Sequence, residues 1–182
     1  MRLLEATFVG ALAASFGLPA AASPAFDAFK KVCGDTHADF TAVKAALGES
    51  GWTPTEVLPT NMEGVTPTEG IARTSTIGNE HVAVYAWEGT KGQFHLSACT
   101  ARVRALQLGQ ANNEAKTWLG LAPENANGKS TWRYGLTSGA PAAVNMSDQA
   151  ATQAAAASGG LYFFNVFVDH GEVVLDLLKI KS

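Results

Sequence analysis

Cys33, Asp35, His37 and Asp39 stand together in the stretch KKVCGDTHADF, and their types admit three chemistries: a reactive thiol, a metal site or a disulfide. A zinc framework needs more ligands at set spacings than Cys-x3-His supplies. A thiol nucleophile needs a base held beside it in three dimensions. The chain has one other cysteine, Cys99. In an oxidising compartment two cysteines pair most simply with each other, so a Cys33–Cys99 disulfide is the expected outcome. Closing so long a loop is worth about 4 kcal/mol in the chain-entropy picture. His37 then reads as an ordinary residue early in a helix.

Other catalytic signatures are absent. There is no Gly-x-Ser-x-Gly elbow, no His-Glu-x-x-His, no phosphate-cradling glycine loop before a helix and no Cys-x-x-Cys. His37, His81, His95 and His170 are spread over a helix start, two strands and a turn, so neither a metal nor another cofactor is expected. His95 shares a predicted strand face with Cys99. Pairing the strands about residues 90 and 91 would place His95 near Ala86 and His81 near Thr100. Tyr85 and Trp87 on one strand, with Trp132 and Tyr134 on another, form the candidate ligand-binding set. Such rings can line an apolar groove with polar tips, suited to a small molecule, a sugar or a peptide. The alternative is that these four rings fill the core.

The compartment follows from the opening MRLLEATFVGALAASFGLPAAASPAF. Arg2 gives a positive start, an apolar run follows, and Ala20, Ala21 and Ala22 supply small residues. That order reads as a secretory signal peptide, residues 1–22, cleaved after Ala22; a buried N-terminal helix is the alternative. The run is too short to span a bilayer, which takes about 20 apolar residues. No other stretch is long and apolar enough, so no membrane span is expected in the mature protein, residues 23–182, which should form one domain in the periplasm or outside the cell. The net charge of −3 and the lack of clustered Lys and Arg argue against nucleic acid as a partner.

The elements that must carry these residues are readable in outline. Ser23-Pro24 is a helix entry, and Phe26, Phe29 and Cys33 share one helical face. Thr36 and Asp39 suggest a capping pair for a second helix with Phe40, Val43 and Leu47 inward. Residues 53–70 hold three prolines and read as a long loop. Strands follow around the Gly78-Asn79 turn and the connection GTKG. Ala111, Ala115, Trp118 and Leu119 mark another helix, PENANG a loop, and STWRYGL a short strand. An alanine-rich helix capped by Asn145 or Ser147 stops at Gly159. LYFFNVFVD and EVVLDLLKIK flank His170-Gly171 as a hairpin whose first strand, apolar on both faces, is central. The sum is an α+β fold: an antiparallel sheet of about six strands with helices packed on at least one face.

The Phe26-x2-Phe29-x3-Cys33 spacing, followed by a short helix ending in Gly51-Trp52, resembles the opening of small exported bacterial proteins of unknown function. The resemblance implies export and a helix held by a cysteine, and it carries over no activity. Three functions fit the sequence: a non-enzymatic domain binding a small molecule or an envelope protein, a small hydrolase built from scattered polar residues, or a structural or stress protein of the envelope. A concave pocket, converging catalytic side chains, or a smooth surface with one apolar patch would separate them.

Overall fold

Two-residue turns organise the chain. A computed structural model of the protein describes residues 22–49, 51–56 and 63–182; the expected signal peptide up to Ala21 and part of the proline-containing loop lie outside them. Among the described residues, nine strands form one antiparallel sheet, so the expected α+β sheet holds but its strand number rises from about six. The strands are β1 (Thr53–Pro54), β2 (Thr66–Ile77), β3 (Glu80–Lys91), β4 (Phe94–Val103), β5 (Glu124–Ala126), β6 (Lys129–Thr137), β7 (Ala140–Ala143), β8 (Leu161–Asp169) and β9 (Glu172–Lys181). Their order is β1-β2-β3-β4-β9-β8-β6-β5, with β7 also on β6. The last strand is therefore inserted at the centre, between β4 and β8.

The β3–β4 turn corrects the sequence register. Lys91 pairs with Phe94, so the chain turns at Gly92-Gln93 instead of residues 90 and 91, and His95 faces Thr90. Gly92 has φ +60°, which a glycine adopts without strain at the first central position of a type II′ turn. Residues 66–69, expected in the loop, already belong to β2.

Helix α1 (Pro24–Phe29) starts on Ser23, whose hydroxyl accepts from the backbone N–H groups of Ala25 and Phe26. It runs into a π-helical turn, Lys30–Gly34, that carries Cys33. Thr36 does not cap the next helix as expected. Its hydroxyl donates back to Val32 O and Cys33 O and closes the first helix. Asp39 alone caps α2 (Phe40–Ala46), accepting from Ala42 N. His37 lies in the turn between them, at φ +53°, outside either helix. Helix α3 (Leu108–Leu119) buries Ala111, Ala115 and Leu119. Helix α4 (Gln149–Ser158) is capped by Asp148, one position beyond the expected Ser147.

Cys33 and Cys99 are bonded at a sequence separation of 66, with Cα atoms 5.5 Å apart, within the usual bridging distance. The bond ties the first helix to the middle of β4. Residues opposite each other across the strands point to one side of the sheet, so Ala86, Cys99, Leu177, Phe164 and Trp132 share the side covered by α1, α2 and α3. Phe164 is the hub of that core. Phe29 stacks on it at 5.3 Å, Trp118 meets it edge-on at 5.4 Å, and Trp132 lies 5.5 Å away. Trp118 can approach because Gly34 has no side chain; a Cβ there would sit 2.6 Å from its ring. Helix α4 lies over the far end of the other side, against Gly135, where a Cβ would meet Ala155 at 3.2 Å.

Candidate functional site

The four aromatic candidates do not form one groove. Trp132 and Tyr134 are on the helix-covered side and are 1% and 3% exposed. Trp87 pairs with Ala98 and Tyr85 with Thr100, which places both on the opposite side, half-buried. The backbone layer of the sheet separates the pairs. Trp132 donates its indole N–H to Leu121 O at 3.0 Å, which satisfies its polar edge inside the core.

Beside Tyr85, the open side carries a polar row across four strands. Thr100 Oγ1 donates to Asp176 Oδ1 at 2.8 Å, Asn165 Nδ2 donates to Asp176 Oδ2 at 3.1 Å, and Thr131 Oγ1 donates to Asn165 Oδ1 at 3.0 Å. Asn165, the polar interruption in β8, is thus a sheet amide bonded through both its nitrogen and its oxygen, as buried amides generally are. Next to this row, Arg102 donates to Asp169 at 2.6 Å. That hydrogen bond holds the Asp169 carboxyl below the usual carboxylate range. These groups satisfy one another and leave little for a ligand.

Converging groups without such partners occur at one end of the helix-covered side. Two rungs of the sheet meet there: Glu88, Ser97 and Lys179 in one, Thr90, His95 and Lys181 in the other. The N-terminus of α2 closes over them with Asp39 and Phe40, leaving a cleft of about 350 Å³, which is in the range of small-ligand sites. The first rung continues into the protein through Tyr162 and Tyr134, whose rings stack 5.1 Å apart at 11°.

Lys179 is the central group. It is 7% exposed, and its ammonium lies over the Tyr162 ring, 5.9 Å from the centroid. Among the described residues it has no carboxylate at ion-pair distance. Burial lowers its pKa from the ordinary lysine value, and the neighbouring charge of Lys181 lowers it further, with Asp39 opposing. Burial also pushes the Tyr162 phenol up to about 12, helped by the Asp39 charge. Tyr134 is raised further for the same first reason, with Tyr162 adding to it. The tyrosines therefore remain neutral, and the cleft sets the Lys179 and Lys181 ammonium groups among phenol and hydroxyl dipoles, with the carboxylates of Glu88 and Asp39 also in its lining. Tyr162 donates its hydroxyl to Gly159 O at 3.2 Å, which fixes the ring under Lys179.

Ser97 and Lys179 face each other across β4 and β9, the residue types of a serine–lysine nucleophile. No hydrogen bond joins them among the described residues, and the lysine leans instead over Tyr162. His95, singled out for sharing a side with Cys99, does so, but the disulfide leaves no thiol for it to activate. Among the described residues, no three His, Cys, Asp or Glu side chains are grouped to hold a metal, and no helix is long and apolar enough to cross a membrane.

The signal that marks this cleft in the sequence is the end of β9. Val173, Leu175 and Leu177 form an inward stripe, and Lys179 is its next member. A lysine continuing an apolar stripe is rare without a reason. Comparison with protein-family models, curated proteins and solved structures yields no match for the chain.

Proposed function

We propose that the protein is exported, is processed after Ala22, and serves outside the cytoplasm as a non-enzymatic domain binding a small anion such as a carboxylate or phosphate compound. One observation carries this reading: Lys179 holds an ammonium in a formed cleft with no carboxylate at ion-pair distance among the described residues. A buried cation without a partner is costly, and an anionic ligand offsets that cost. Lys181, Ser97 and Thr90 supply further donors on the same wall. The disulfide fits an oxidising compartment, as does the resemblance to small exported proteins.

Calorimetric titration with inorganic phosphate and with citrate tests the binding reading. At least one should bind, and Lys179→Met should weaken it about tenfold or more, the loss expected for a charge-assisted hydrogen bond. Equal affinity in the variant, or no binding of either probe, would overturn it. The pH dependence has a definite sign. Because its folded-state pKa is lowered, Lys179 loses its proton in the native state before it does so in the unfolded chain. Stability therefore rises with pH as the lysine titrates, and is lost as pH falls back through the folded value. Anion affinity runs the opposite way and should fall over the same window, while Lys179→Met should show neither trend.

Export has its own readout. Mass spectrometry of the protein from the periplasm or medium should show a chain beginning at Ser23 with no free thiol. A retained Met1 would sink the export reading.

A further inference from the structure

Ser23 stands at the start of α1, next to the expected processing point, and yet is only 3% exposed. Its backbone N–H donates to Glu114 Oε1 of α3 at 2.9 Å. Its hydroxyl donates to Glu80 Oε2 of β3 at 3.0 Å, and Ala25 N donates to the same oxygen at 3.0 Å. Two carboxylates from separate elements thus converge on one residue. Glu80 is 8% exposed, and neither acid has a Lys, Arg or His at ion-pair distance among the described residues. The second oxygen of Glu114 is buried and accepts no hydrogen bond.

An amide nitrogen fits this arrangement badly. It offers one N–H and no formal charge to Glu114, whose second oxygen is buried and unbonded, beside the buried carboxylate of Glu80, a combination that is costly when uncompensated. An α-ammonium at the same atom offers three N–H groups and a positive charge. One already has its acceptor in Glu114 Oε1, and the orphaned Oε2 belongs to the same carboxylate. Ala22, on the other side of the peptide bond, is exposed and open to a peptidase.

We propose that Glu114 and Glu80 form a receptor for the α-ammonium of a chain beginning at Ser23, so that removal of the leader completes the fold. The step is peptide hydrolysis by a leader-cleaving endopeptidase. Water breaks the C–N bond between Ala22 and Ser23, its oxygen passes to the Ala22 carboxylate, and the freed amine of Ser23 takes up a proton. The ammonium then pairs with Glu114 and neutralises part of the Glu80 charge beside it. The leader-bearing chain lacks this ion pair and is the less stable form. The inference rests on the reading that processing occurs after Ala22.

All described helices, strands and the disulfide lie from Pro24 onward, so chains with defined starts carry the whole described fold. Thermal melting at pH 7 compares the full chain, a chain starting at Ala22, a chain starting at Ser23, and the last after N-acetylation. The Ser23 start should melt highest, by about 3 °C or more. Acetylation should erase the gain, and Glu114→Gln should erase the difference between starts. The α-amine should also titrate above its ordinary range of about 7.7–8.0, read by NMR or by slowed acylation. Equal melting of the Ala22 and Ser23 starts, or a gap that survives in Glu114→Gln, would overturn the proposal. Because these starts are set in advance, the result is separate from where cleavage falls in the cell. A native start elsewhere defeats the processing reading even if the engineered Ser23 start gains stability.

Discussion

Replacing Cys33 and Cys99 together with serine should destabilise the protein by about 4 kcal/mol, the chain-entropy value for a loop of this length. For a chain of this size that corresponds to a fall in melting temperature of about 10 °C. The two single variants should each lose nearly as much as the double, because either one breaks the same bond. Additive losses would mean that two independent buried thiols are being removed. Urea unfolding of the unmodified protein with and without a reductant gives a second measure, since reduction should bring it close to the double variant. The effect is large because of what the bond joins. Cys33 lies in the π-helical turn that follows α1, and Cys99 lies in β4 beside the inserted central strand β9. The bond therefore fastens the N-terminal helix to the middle of a sheet whose last strand must still find its place between β4 and β8.

What the sequence made legible was local. The Gly78-Asn79 and His170-Gly171 turns, the inward stripe of α3 and the two apolar faces of β8 are all visible as periodicities and turn residues within one short segment. The missing strands are β1, β5 and β7, with the sequences TP, ENA and APAA. They are too short and too poor in large apolar groups to carry a pattern, and their pairing with longer neighbours makes them strands. The β3–β4 register failed because the stretch from Gly89 to Gly92 offers two glycines, and Gly89 serves a close approach to β2, where a Cβ would meet Thr66 O at 2.6 Å, while Gly92 turns the chain.

The aromatic set failed for a different reason. Alternation correctly placed Tyr85 with Trp87, and Trp132 with Tyr134. Whether two pairs share a side depends on the register through β4, β9 and β8, which joins residues far apart in sequence. The same registers bring Glu88, Ser97 and Lys179 into one rung, and no segment of the chain hints at that meeting. Lys179 alone was within reach, as the cation that ends an apolar stripe.

Trp132→Ala separates the core from the cleft with an effect nearly as large as loss of the disulfide. Removal of a buried tryptophan costs about 3–5 kcal/mol. Here the indole packs 5.5 Å from the Phe164 hub and donates to Leu121 O, so truncation leaves both a void and an unpaired carbonyl. Trp132→Phe should recover part of the ring contact with Phe164 but none of the hydrogen bond, and so fall between. Trp87→Ala, on the open side and half-buried, should cost clearly less than Trp132→Ala. Affinity for phosphate or citrate, measured well below each melting temperature, should change little in any of the three. Trp132 lies on the helix-covered side, but two residues along β6 from the rung of Tyr134, Tyr162 and Lys179. A Trp132→Ala protein that kept its stability but lost anion binding would contradict this placement and move the ligand into the aromatic core. A protein that lost stability but bound as before would leave Lys179, and the wall of β4 and β9 around it, as the surface that recognises the anion.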